Sequence, residues 1–153
     1  MFDRMKSLLI NNVEKALDFA EVKSNPDLRG MNALAASFAL LIMADRVVEE
    51  EEMEAVSEYL IDQVPLVIEK GLIREISELF IKQVERLEQG YKVSAFEGNI
   101  VAGEILKEVA LVKDDRDYAT LVADTVTLVT SGHEVDEGEL KTRNRILKVL
   151  GKA

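Results

Sequence analysis

The sequence repeats itself once, without a gap, at an offset of 87 residues. The first copy is Met43 to Met53, where an apolar run stops at Asp45 and a cluster of carboxylates begins. The second copy spans 130–140, with Gly132 in the place of Asp45. The matching pairs are Leu34 with Leu121, Ala36 with Ala123, Leu41 with Leu128, Val48 with Val135, Glu50 with Glu137, Glu52 with Glu139 and Leu60 with Leu147. The repeat predicts two helix–turn–helix units in one chain.

Length and charge restrict the classes of protein and partner. A chain of 153 residues with 48% hydrophobic content suffices for one domain, which buries roughly two-thirds of the surface of its unfolded form. The net charge of −10 argues against binding to nucleic acid or anionic lipid, because both require basic patches. Cations and basic proteins are better candidates. The absence of cysteine excludes disulfides, thiolate metal sites and cysteine nucleophiles.

Neither a secretory signal nor a membrane span is expected. The first residues are charged and contain only a three-residue apolar run. The longest uncharged stretch, Gly30 to Ala44, is shorter than the roughly 20 residues that cross a bilayer. A buried helix is favoured for it over a membrane-associated segment. We therefore expect a cytoplasmic protein.

Helical spacing of Ala, Leu, Glu and Lys throughout, without alternating β-branched runs, predicts an all-α fold. We expect a single-domain bundle of about seven helices over 1–153, with repeat units at about 28–60 and 115–147 and a connecting helical pair at about 72–111. The expected helices are Phe2 to Ala20, Asp27 to Ala44, Glu49 to Asp62, a short turn of helix between Pro65 and Gly71, Leu72 to Gln89, Ser94 to Leu111, Tyr118 to Val129 and Asp136 to Gly151.

Three local signals set helix ends. Pro26 lacks an amide proton and stops the first helix. Gly90 is a natural C-terminal stop for the helix that begins at Leu72. Ser94 and Glu97 have the spacing of a capping box, in which each side chain accepts a hydrogen bond from the other residue's backbone.

The first acidic turn is the best candidate for a ligand site. Glu49 and Glu52 share a helix face, and Asp45 lies just before it, so three carboxylates can converge. Oxygen ligands suit calcium or magnesium, which take six or more of them. The alternative is a solvated helix face with carboxylates at the positive end of the dipole. An EF-hand is excluded, because the required glycine and final glutamate are replaced by Glu50 and Val56.

The second turn and the rest of the chain offer less chemistry. Gly132 removes the leading ligand, so we expect a weaker cation site there or none. His133, the only histidine, is an added metal ligand or, more simply, an exposed turn residue. No Ser-His-Asp set, Gly-rich phosphate loop or His-Glu-x-x-His motif is found. We expect no enzymatic activity.

The two turns resemble the tellurite-resistance TerB family, whose usual turn reads Asp-Gly-x-apolar-(Ser/Thr/Asp)-x-x-Glu. The first copy runs from Asp45 to Glu52 and the second from Gly132 to Glu139. The resemblance spans nearly the whole chain. It includes the opening Phe2 to Ser7, the Asn-Pro connector before a buried helix, the central helical pair and the closing Arg143 to Gly151.

The resemblance implies a seven-helix, non-enzymatic, cytoplasmic stress-response protein of the tellurite, phage or colicin resistance type. Such a protein acts as a scaffold in complexes with protein partners at the membrane surface. The family's divalent-cation positions carry over to Asp45, Glu49 and Glu52, and in part to Asp136 and Glu139. Calcium or magnesium is favoured, with zinc or manganese as alternatives. Arg46 stands where glycine is usual, so its guanidinium is an alternative occupant of the first site.

Overall fold

The structure is a computed structural model in which residues 19–44, 50–131 and 137–152 are described. Within these ranges it contains helices, turns and a short 3-10 segment, Ala110–Val112, and no strand. The α-helices are α1 (Phe19–Ser24), α2 (Pro26–Ile42), α3 (Glu50–Asp62), α4 (Pro65–Glu69), α5 (Ile73–Val93), α6 (Ala95–Val109), α7 (Arg116–Val129) and α8 (Glu137–Val149). The predicted all-α bundle is confirmed.

Helix α2 forms the centre of the bundle. Its residues from Gly30 to Ile42 are all buried, as expected for the longest uncharged stretch of the chain. It packs against α1, α3, α5, α6, α7 and α8, so the core forms around one helix. The Asn25 side chain caps its start by accepting hydrogen bonds from the backbone of Asp27 and Leu28. Pro26 occupies the first turn, where its missing N–H costs nothing.

The helix ends follow the offset of the sequence repeat. Helices α2 and α7 end at Ile42 and Val129, which are 87 residues apart. Helices α3 and α8 have 13 residues each, and both their first and their last residues are separated by the same 87 residues. Of the elements between the two pairs, α5 and α6 pack on α2, and α4 packs on α3 and α5.

The prediction that Gly90 ends its helix is wrong. Helix α5 continues to Val93, and Gly90 is buried within it. A Cβ atom at Gly90 would lie 3.0 Å from Val101 Cγ2 and 3.1 Å from the Cα of Gly98 on α6. The glycine therefore permits a close crossing of α5 and α6, and this packing outweighs the low helix propensity of glycine.

The capping box at Ser94 is half correct. The Ser94 hydroxyl accepts a hydrogen bond from the Glu97 backbone N–H at 3.0 Å, as predicted. The Ser94 N–H, however, donates to the Gly90 carbonyl at 3.2 Å, because α5 runs on to Val93. The Ser94 N–H therefore does not need the Glu97 carboxylate as an acceptor.

A polar link joins the starts of α2 and α7. The Tyr118 hydroxyl donates to Asp27 Oδ1 at 2.6 Å, and Lys70 Nζ lies 3.4 Å from the same oxygen. The Tyr118 hydrogen bond, followed by Lys70, lowers the pKa of Asp27 below its usual 3.8. Burial, reinforced by Asp27, raises the pKa of Tyr118 above its usual 10.0. The Tyr118 ring lies so close to Gly30 that a Cβ there would overlap it.

Across 19–44, 50–131 and 137–152, no helix is both long enough and apolar enough to cross a bilayer.

Candidate functional site: an acidic groove and a buried polar cluster

Two of the five predicted cation ligands lie in the described part of the chain. Glu52 is in the first turn of α3 and Glu139 is in the first turn of α8. Both side chains are half-buried. The remaining predicted ligands and the residues weighed beside them lie outside the described residues: Asp45, Arg46, Glu49, Gly132, His133 and Asp136.

Glu52 and Glu139 line the same groove, which has a volume of about 430 Å³. We call it the acidic groove. The two glutamates occupy equivalent positions of the two repeat units, and the helices that carry them, α3 and α8, both pack against α2. The other residues that line the groove are Phe38, Leu41, Ile42, Ala55, Val56, Tyr59, Leu128, Val129, Thr130 and Ser131.

Helix geometry explains why glutamates suit these two positions. Each lies in the first turn, where the helix dipole favours negative charge. One wall of the groove is apolar, with the Phe38 and Tyr59 rings packed at 5.7 Å between centroids. A charge interaction beside such a wall is less weakened by water than one on an open surface.

The donor set of the acidic groove has the chemistry of a hard-cation site. Besides two carboxylates it offers the hydroxyls of Thr130 and Ser131. Each hydroxyl donates its proton to a backbone carbonyl, Val126 at 2.7 Å and Leu128 at 2.9 Å, which leaves its oxygen able to accept. Oxygen donors of these kinds fit calcium or magnesium. Among the described residues no three acidic or histidine side chains group closely enough to hold a metal on their own.

A buried polar cluster, absent from the sequence predictions, lies where α2, α5 and α6 meet. Asn32 and Gln83 are each only 2% exposed, and Glu108 is 8% exposed. Glu108 Oε1 accepts from Asn32 Nδ2 at 3.1 Å and from Gln83 Nε2 at 2.9 Å. Gln83 Nε2 also donates to Asn32 Oδ1 at 2.8 Å. Arg86 closes the cluster, with Nη1 donating to Glu108 Oε2 at 2.7 Å and to Gln83 Oε1 at 2.8 Å.

The cluster satisfies a carboxylate that would otherwise be costly to bury. A buried ion pair is tolerated when further hydrogen bonds complete the shell, and Glu108 receives them from two amides. The signal in the sequence was the polar residues at core positions. Gln83 interrupts the apolar stripe of α5, and Asn32 interrupts the uncharged run of α2. Their shared partner, Glu108, is remote in sequence and cannot be read from spacing.

Comparison with protein-family models, curated proteins and solved structures gives no match to this chain. The resemblance to the TerB family therefore rests on the sequence motifs alone.

Proposed function

We propose that this chain is a non-enzymatic TerB-like stress-response protein that binds a divalent cation in the acidic groove. In this proposal it acts in the cytoplasm as a scaffold for protein partners, including complexes at the membrane surface. The observation that carries the proposal is the convergence of Glu52 and Glu139, one from each repeat unit, on a single groove. The motif resemblance to the tellurite-resistance type supports it.

A cation in this groove would act on the angle between the two repeat units. Glu52 is carried by α3 and Glu139 by α8, so an ion that binds both ties the two helix starts together. A divalent cation carries enough positive charge to bind two carboxylates at once. The bound state would then present a fixed surface to a protein partner. Asp45, Glu49 and Asp136 are the proposed additional ligands.

Titration calorimetry of the full chain with calcium, magnesium, manganese and zinc tests the proposal. We expect heat with calcium or magnesium, and weaker binding in Asp45→Asn and Glu52→Gln. Glu51→Gln is the matched control, because it removes the same charge from the same helical turn at an exposed position outside the groove. Absence of heat with all four ions, or equal effects of Glu51→Gln and Glu52→Gln, overturns the proposal.

A second candidate is a metal-independent adaptor that docks a basic protein on the same groove. The observation in its favour is Leu128, a large apolar side chain that lines the groove and is 62% exposed. Together with Val56 and Tyr59 it gives the groove an apolar side beside its carboxylates. A basic amphipathic helix would meet both surfaces.

A synthetic amphipathic peptide of lysine and leucine distinguishes the two candidates. The adaptor predicts binding that persists in chelator, weakens with added salt and is reduced by Leu128→Ser. If the protein is instead a cation-dependent scaffold, chelator should change the binding of the peptide. The control for the leucine substitution is Thr127→Ser. Thr127 is the exposed residue that precedes Leu128 in α7.

A further inference from the structure

A second concave site lies on the surface formed by α1, α2, α5, α6 and the 3-10 segment. It is a cleft of about 490 Å³, within the roughly 300–1,000 Å³ range of small-molecule sites. The buried polar cluster forms part of its lining, through Asn32, Gln83, Arg86 and Glu108. We call it the basic cleft. It does not share a lining residue with the acidic groove.

The charge of the basic cleft is opposite to that of the protein. Four basic side chains line it, Lys23, Lys82, Arg86 and Lys107, against two acidic ones, Glu104 and Glu108. The whole chain carries a net charge of −10. A local excess of cations on an acidic protein raises the concentration of anions at that place.

Both acidic residues of the cleft pair with Arg86, so the excess positive charge lies on the three lysines. Glu108 is already bound by Arg86 Nη1 and by two amides. Among the residues that the structure describes, Lys82 and Lys107 form no ion pair. The Nη2 atom of Arg86 forms an ion pair with Glu104 at 3.8 Å, which is too long for a hydrogen bond. Arg86 therefore keeps donor capacity for an anionic ligand while its other nitrogen fixes its position.

The cleft also has apolar walls. Val22 and Leu79 are buried side chains that line it. Phe19 and Leu111 line it from α1 and from the 3-10 segment, and they are 40% and 41% exposed. Large apolar side chains with such exposure around a cationic centre fit a ligand that has an alkyl body and an anionic head.

From these features we infer that the basic cleft binds a single-chain fatty carboxylate. The carboxylate head pairs with the Arg86 guanidinium and with Lys82 and Lys107, since guanidinium geometry matches a carboxylate. The alkyl chain packs against Leu79, Phe19 and Leu111. The polar cluster acts as the rigid floor that holds Arg86 in place.

Calorimetric titration of the full chain with decanoate, below its micelle concentration, tests the inference. We expect saturable binding that chelator does not change. Decanol, which lacks the charge, should bind about tenfold more weakly, because hydrogen bonds to charged groups are the stronger ones. Decyltrimethylammonium, with the same chain and the opposite charge, should not bind. Equal binding of decanoate and decanol, or no heat with decanoate, overturns the inference.

Variants locate the binding in the cleft. Lys82→Gln with Lys107→Gln changes two exposed lysines and should weaken decanoate binding roughly three- to tenfold. Lys92→Gln with Lys148→Gln makes the same charge change at exposed positions outside the cleft. An equal effect of both pairs shows that only net charge matters and contradicts the assignment.

A nuclear magnetic resonance readout identifies the site independently of affinity. The side-chain amides of Asn32 and Gln83 belong to the floor of the cleft, so their signals should shift on addition of decanoate. The exposed side-chain amide of Asn144 on α8 is the internal control. Shifts at Asn144 without shifts at Asn32 and Gln83 place the fatty acid elsewhere and reject the cleft.

Discussion

The acidic groove and the basic cleft hold their carboxylates in different ways. In the groove, Glu52 and Glu139 lie half-buried at two helix starts, beside hydroxyls and an apolar wall. In the cleft, Glu108 lies in the interior and accepts hydrogen bonds from Asn32, Gln83 and Arg86. A net charge of −10 therefore says little about where acidic and basic side chains gather on the surface. Glu108 belongs to the core, whereas Glu52 and Glu139 line a surface groove.

The largest effect is expected when the buried polar cluster loses its arginine, and the quantity affected is the free energy of unfolding. Arg86→Ala leaves the Glu108 charge buried without its cation, and we expect a loss of about 3 kcal/mol in urea unfolding. Lys82→Ala, in the same helix but exposed, should stay within about 0.5 kcal/mol of the wild type. A cost for Arg86→Ala no greater than that for Lys82→Ala would show that the cluster is not a structural unit.

The α5–α6 crossing that supports the cleft offers a matched pair of glycines on one helix. A Cβ at Gly98 would overlap the Tyr91 ring, whereas a Cβ at Gly103 meets nothing within 4 Å. We expect Gly98→Ala to destabilise the protein by about 2 kcal/mol, through forced displacement of Tyr91. Gly103→Ala should stabilise it by about 0.5 kcal/mol, because alanine favours the helix. Thermal unfolding of both variants decides, and equal effects would contradict the close crossing.

Helix ends show which features a single sequence predicts. Local signals placed the gap between α1 and α2, at Pro26, and the start of α6, where the Ser94 hydroxyl acts on the nearby Glu97 backbone. Gly90 misled the prediction, since the same residue serves as a helix stop and as a close-packing surface. Only the partner helix distinguishes these uses.

The two sites also differ in how much of each could be predicted from the sequence. The repeat pointed to Glu52 and Glu139 as equivalent residues, and the fold places them on one groove. The polar cluster escaped prediction because Asn32 and Glu108 are separated by 76 residues. Gln83 at a core position indicated that a polar partner existed, but nothing in a single sequence identified it.

A smaller effect is expected at the link between α2 and α7, outside both sites. Tyr118→Phe removes the hydrogen bond to Asp27 and should cost about 1 kcal/mol near neutral pH. The folded protein raises the Tyr118 pKa, so this stability is present below pH 10.0 and is lost as pH rises above it. It lowers the Asp27 pKa, so that carboxylate's contribution is present above pH 3.8 and is lost as pH falls through the lowered value.

Unfolding curves of wild type and Tyr118→Phe at several pH values measure this directly. The difference between them should be constant from about pH 5 to 9 and shrink at both extremes. Tyr59→Phe serves as the control, since the Tyr59 ring packs on Phe38 and its substitution keeps that contact. A difference that grows in alkali would mean that the sign of the Tyr118 shift is wrong.

The smallest effect should come from the acidic groove in the absence of divalent ions. Glu52→Gln removes a carboxylate from a helix start, and in chelator we expect a loss of about 0.5 kcal/mol in urea unfolding. This is well below the loss expected for Arg86→Ala. A loss near 3 kcal/mol would instead place Glu52 in a structural cluster like that of Glu108.

A double-substitution cycle on cation affinity measures whether Glu52 and Glu139 bind the same ion. Calcium binding is measured by calorimetry for the wild type, Glu52→Gln, Glu139→Gln and the double variant. If both glutamates bind one ion, the two losses should be coupled, with an interaction energy above about 0.5 kcal/mol. Losses that add to within that value, or an affinity that neither substitution changes, would show that the two repeat units do not share a cation.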